Sequence, residues 1–172
     1  MADIKIKYPS TSSVALTLAL GGLASSSTFI AGRASTAVNN TSNNDTDHIL
    51  SGKIKGGTTP TVSTEINIYL YANISSSSGT PTYPDSITGT DAAKSMTSAN
   101  VLASALILAE TITVDATTGR DYFFGPISVA SFFGGVLPKF WGVYVAHSTV
   151  ASLDSTDANH VLTYERVLYQ TV

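Results

Sequence analysis

Apolar and polar residues alternate with a period of two along most of this chain, the pattern of strands that bury one face. The clearest case is residues 62–72. Ile66, Ile68 and Leu70 share one face, read as inward, and Glu65, Asn67, Tyr69 and Tyr71 share the other, read as outward. The chain closes on two long strands, residues 140–148 and 159–171, joined by a polar loop. Trp141, Val143 and Val145 alternate with Phe140, Gly142, Tyr144 and Ala146 in the first, and Glu165 and Arg166 sit in the middle of the second. At roughly 3.3 Å per residue, each is long enough to cross a whole sheet.

The remaining segments fill in around these. Residues 1–13 form a polar arm with Ile4, Ile6 and Tyr8 at alternate positions before Pro9, suited to adding as an edge strand to its own sheet or a neighbour's. In residues 14–20, Val14, Leu16, Leu18 and Leu20 alternate with Ala15, Thr17 and Ala19. Lys5 and Lys7 ahead of that run give it the outline of a secretory signal. Pro9 and four hydroxyl residues intervene, however, and the alternation is that of a first core strand. The run is also shorter than the ~20 apolar residues of a membrane-spanning helix, so no membrane partner is expected. Residues 28–38 and 48–55 read as further strands, the latter closed by Gly56-Gly57. Residues 73–100 are a long irregular excursion holding Pro81, Tyr83 and Pro84, with one helical turn over 91–98 capped by Asp91. Residues 102–115 read as a strand, with a helix competing for the Ala-rich start. Residues 122–130 form a strand that Gly125-Pro126 marks with a bulge or an edge position. Residues 131–138 are a loop tipped by Phe132 and Phe133. About eight strands in one domain, residues 14–172, predict an all-β, two-sheet antiparallel sandwich of jelly-roll type. An immunoglobulin-like sandwich is the alternative, weakened by the missing Cys…Trp…Cys signature.

Composition narrows the function. There is no cysteine, which excludes disulfides, thiolate metal sites and thiol catalysis. Charged residues make up 12% of the chain, against about 25% in ordinary soluble domains. Net charge is −3 and the nine basic residues are scattered, so no nucleic-acid partner is expected. Serine and threonine, 23 of each, supply the polar surface instead. A neutral hydroxyl surface costs less to desolvate than a charged one, which suits a subunit with extensive contacts in an assembly.

Motifs for chemistry are missing. No phosphate-binding glycine loop, Gly-x-Ser-x-Gly elbow or His-Glu-x-x-His occurs, so the chain is read as neither an enzyme nor a cofactor binder. The pairs Asp45/Asp47 and Asp154/Asp157 are read as solvated turn residues in preference to weak calcium sites. His48 is read as a surface residue. A simple hairpin between the last two strands would set His147 opposite His160 beside Asp154 and Asp157, a donor set for zinc. Successive strands of a jelly roll often belong to different sheets, and no metal is expected. Trp141 is read as core, and Tyr69 and Tyr71 as residues for an interface.

Several stretches together resemble a family of tailed-bacteriophage virion proteins. They are Lys7-Tyr8-Pro9-Ser10-Thr11-Ser12, Thr28-Phe29-Ile30-Ala31-Gly32-Arg33, Phe124-Gly125-Pro126 and Lys139-Phe140-Trp141-Gly142-Val143-Tyr144-Val145, with the strand 159–171. The resemblance implies a jelly-roll cement or decoration subunit on the outside of a phage head, hence location in the virion. It implies the major capsid protein as partner and a homo-oligomer, a dimer or trimer. Ile4, Ile6, Tyr8, Tyr83, Phe132 and Phe133 are then the expected contact residues. A tail or receptor-binding component and a carbohydrate-binding sandwich are the alternatives.

Overall fold

The computed structural model describes residues 3–9, 13–77 and 80–171, so residues 1–2 and 10–12 of the arm, 78–79 of the excursion and 172 lie outside it. Thirteen strands, two short α-helices and a 3-10 turn at Asp157–Asn159 are present among the described residues: β1 (Ile4–Lys7), β2 (Ser13–Ala15), β3 (Ala31–Ala34), β4 (Val38–Asn39), β5 (Asp47–Lys55), β6 (Thr64–Ala72), β7 (Ser75–Ser77), β8 (Thr80–Thr82), β9 (Ala92–Ser95), α1 (Ala99–Ala105), β10 (Ile107–Val114), β11 (Asp121–Ser128), α2 (Val129–Phe132), β12 (Phe140–His147) and β13 (Val161–Thr171). One sheet runs β1-β13-β5-β11 with β2 also on β13; the other runs β10-β6-β12-β3-β9 with β4 on β12. All the pairings are antiparallel. The fold is therefore an all-β, two-sheet antiparallel sandwich. The chain changes sheet between β2 and β3, β4 and β5, β5 and β6, β10 and β11, β11 and β12, and β12 and β13, the wrapping expected of a jelly roll.

The last crossing removes the hairpin between the two final strands. β12 pairs with β6, setting His147 opposite Ile66, while β13 pairs with β5. His147 and His160 are held apart in different hydrogen bonds, and no group of three potential metal ligands stands together among the described residues.

Between the sheets lies an apolar core built from the inward faces the alternation predicts, with Ile66, Ile68, Leu70, Trp141, Val143, Val145, Leu50 and Ile54 fully buried. A second core lies on the far side of the β6/β12 sheet. There Tyr69, Tyr71, Tyr144, Ala34 and Ala146 are covered by Ile87, Met96, Leu102 and Leu106. Tyr69 and Tyr71 do lie on the face turned away from Ile66, Ile68 and Leu70, but the expectation that this face serves an interface is corrected: the excursion and α1 bury it. Gly142 is required here, since a Cβ would fall on the ring of Tyr71. The hydroxyls satisfy themselves on backbone, Tyr71 donating to the Ser35 carbonyl at 2.7 Å and Tyr144 to the Ile30 carbonyl at 2.7 Å.

Local structure departs from the sequence reading where short-range chemistry competes with alternation. The helical turn expected at 91–98 is the strand β9. Asp91 caps nothing and instead accepts from Arg33 Nε at 2.6 Å and from the Ala19 amide. The helix begins one step later, where Ser98 in extended backbone accepts from the Val101 amide, so the Ala-rich start of 102–115 is helical and strand begins at Ile107. Of residues 14–20 only the first two are in a strand, although Leu16 and Leu20 are buried as expected. Residues 28–38 break into β3 and β4 after Phe29, which sits at φ 58°. Gly125-Pro126 is a cis peptide within a bulge between Phe124 and Ile127. Beyond it the chain leaves β11 and turns into α2.

Candidate interaction surface

Strand β1 is an edge strand on its own sheet, paired with the last residues of β13: Ile4 with Thr171, Lys5 with Gln170, Ile6 with Tyr169 and Lys7 with Leu168. All four of its side chains are exposed. Directly opposed residues share a face, so Ile6 and Tyr169 stand side by side with Ile4 and Thr171, and Lys5 and Lys7 take the other face. The result is a two-stranded ribbon, apolar on one side and basic on the other.

Facing the apolar side is the segment after α2. Val136 is 71% exposed and Leu137 is buried. A groove of about 630 Å³ separates the two, lined by Ile6, Val167 and Tyr169 on one side and by Ala130, Val136 and Leu137 on the other. Eleven large apolar residues are exposed among the described ones; Ile4, Ile6, Tyr8, Val136 and Tyr169, five of them, belong to this ribbon and loop. A patch of this kind is what marks an interaction site, whereas exposed apolar residues scattered singly need no explanation.

The groove is built on a polar floor that the sequence reading took for solvent. Asp45 is buried just ahead of β5 and receives two hydrogen bonds from Arg166 of β13, at 2.8 and 3.0 Å. His48 is wholly buried beneath it, which corrects its assignment to the surface. The indole of Trp141 donates to His48 Nδ1 at 2.9 Å, so Nε2 carries the proton and donates to Asp45 Oδ2 at 3.0 Å. Burial opposes the Asp45 charge, but the Arg166 and His48 hydrogen bonds outweigh it and hold this carboxyl below its ordinary range. Burial pushes the His48 imidazole down, against the pull of Asp45, and His147 is pushed down in the same way.

Asp47 shapes the other wall. Its Oδ2 accepts from the Ser128 hydroxyl at 2.6 Å and its Oδ1 from the Ala130 amide at 2.8 Å, which fixes the end of β11 and the start of α2 against β5. Unlike Asp45 it is in no ion pair among the described residues.

Of the residues expected at contacts, Ile4, Ile6 and Tyr8 are exposed on or next to the ribbon. Phe132 and Phe133 are half-buried and pack on the inner core beneath the same loop. Tyr83 is not brought to them: it lies half-buried over the second core, edge-on to Tyr71. Sequence reading missed Tyr169, Val136 and Asp47. Tyr169 continues the outward alternation of β13, and Val136 is an apolar residue directly after Gly134-Gly135, signals that fit an exposed patch only once both are known to face one gap. Compared with known protein families, curated proteins and solved structures, the chain matches none.

Proposed function

We propose that the protein is a structural virion subunit, a cement or decoration protein that binds the outside of an assembled phage head and bridges capsid subunits. The observation that carries this reading is the gathering of five exposed apolar side chains on the β1/β13 ribbon and the loop at Val136, on a protein low in charge and rich in hydroxyls. The stretches resembling tailed-phage virion proteins supply the setting. A subunit that binds the closed lattice and not its separated parts shifts the equilibrium toward the closed shell by mass action. Two or three copies around the local symmetry axes of a shell suit that task.

The test is the copy number in purified virions, measured by quantitative mass spectrometry against the major capsid protein. A ratio of one to one or a simple fraction of it is expected. A few copies per particle would assign the protein to the tail or a vertex, and absence from virions would end the reading.

A further inference from the structure

The groove between the ribbon and α2 combines three features: apolar walls, an exposed aromatic ring and a carboxylate without a cation. Asp47 reaches its floor with two of its acceptor positions taken by Ser128 and Ala130 and a third by the His48 amide at 2.7 Å, which leaves one carboxylate lone pair open. Asp45 beside it is already neutralised by Arg166. The basic side chains of the ribbon, Lys5 and Lys7, stand on the opposite face and do not fill the deficit. The groove therefore carries uncompensated negative charge between Ile6 and Tyr169 on one wall and Val136 and Leu137 on the other.

We propose that this groove receives the side chain of an arginine or lysine from an extended segment of another protein, a capsid subunit under the function proposed above, on which this part of the inference rests. The aliphatic stem lies against Ile6 and Val136, as long basic side chains do on apolar surface. The cation sits on Asp47 and against the face of Tyr169, and both attractions favour charge at the same place. Arginine is the better occupant, because its guanidinium is planar, weakly hydrated and able to stack while it hydrogen-bonds. An arginine anchored in a pocket surrounded by apolar contacts is also how binding energy is commonly concentrated at an interface.

The test uses the full chain, labelled with ¹⁵N, and the peptide acetyl-Val-Thr-Arg-Thr-Val-amide as probe, beside the same peptide with citrulline, a neutral isostere, in place of arginine. The arginine peptide is expected to bind roughly tenfold more tightly than the citrulline peptide and to lose that margin in high salt. Amide shifts should centre on Asp47, Val136 and Tyr169. Asp47→Asn retains an acceptor for the Ala130 amide and should abolish the preference for arginine; Tyr169→Ser, at an exposed position, should weaken binding without touching the fold. Equal binding of the two peptides, no binding of either, shifts centred elsewhere, or a self-associated protein whose groove is filled by a second copy would each overturn the proposal. The virion copy number distinguishes the two failures: abundant virion copies with no arginine preference sink the groove alone. Absence from virions with arginine selectivity intact removes the capsid source alone.

Discussion

Asp45 keeps its charge inside the sandwich because Arg166 and His48 both donate to it, and His48 stays in place because Trp141 donates to its other nitrogen. Removing one member of such a chain leaves another buried and unpaired, which costs more than the contact itself. Arg166→Met should lower stability by about 3 kcal/mol in urea denaturation, near the low end for a buried pair because the guanidinium is partly solvated. The same groups set the response to acid. His48 and His147 are pushed below the ordinary histidine value by burial, so the unfolded chain takes up protons that the folded chain refuses. Their contribution is complete above the unfolded value of 6.5 and is lost as pH falls from there toward the folded values. Asp45, held low, adds a further loss only at more acidic pH, as its folded carboxyl protonates. The midpoint of thermal unfolding should therefore fall from pH 7 to pH 5, and His147→Gln, whose amide can still donate to the Leu23 carbonyl, should flatten that slope. Val150 presents the opposite case. It is β-branched, exposed, and held at φ 71°. Val150→Gly should relieve that backbone and raise stability by about 1 kcal/mol, measured by the same denaturation.

At the scale of elements, β1 is attached without being buried. Its four side chains are exposed and only pairing with β13 holds it, so little of the folding energy resides there. Deleting residues 1–8 should leave the circular dichroism spectrum unchanged and the midpoint within a few degrees; under the function proposed above it should also lower occupancy on capsids, and full occupancy would remove the ribbon from the contact. The long strands were legible because alternation shows which residues share a face; β5, β6, β12 and β13 appear where that pattern put them, and β10 fills only the later part of the strand expected over 102–115. Alternation is silent about what covers a face. Tyr69 and Tyr71 have polar tips and sit opposite a strongly apolar face, so they read as outward until residues 83–106 are seen folded over them. His48 and Asp45 were misread for a related cause. A single histidine after an acidic loop looks solvated, and the donors that hold the two groups are remote in sequence: Trp141, 93 residues from His48, and Arg166, 121 residues from Asp45. The groove was half legible: the arm and the loop after α2 were both singled out, but their meeting depends on the pairing of β1 with the end of β13.

At the scale of the molecule, the β6/β12 sheet lies between two apolar layers, so the protein is a sandwich with a third layer on one side. That third layer is built from the excursion and α1, segments of irregular sequence, and the question is whether it is a loose cover or a structural part of the fold. Its burial argues for the latter. Leu102 and Leu106 are each 4% exposed and Met96 2%, comparable with residues of the inner core. The amide of Met96 donates to the Ile30 carbonyl at 2.7 Å, the same carbonyl that takes the Tyr144 hydroxyl, which ties the layer to the start of β3. Leu102→Ala should then cost about 2–5 kcal/mol, the range for truncating a leucine in a packed interior. A loose cover would lose less than 1 kcal/mol. The molecule carries its own probes for the accompanying question of cooperativity, since its single tryptophan, Trp141, lies in the inner core with Tyr122 and Tyr164, while four of its eight tyrosines, Tyr69, Tyr71, Tyr83 and Tyr144, crowd the outer one. If the three layers unfold as one, tryptophan fluorescence and the near-ultraviolet tyrosine signal must trace the same urea transition in the wild type and in Leu102→Ala. Separated transitions, with part of the tyrosine signal lost before the tryptophan signal, would mean that the outer layer melts on its own and that residues 83–106 are available for rearrangement on a partner's surface.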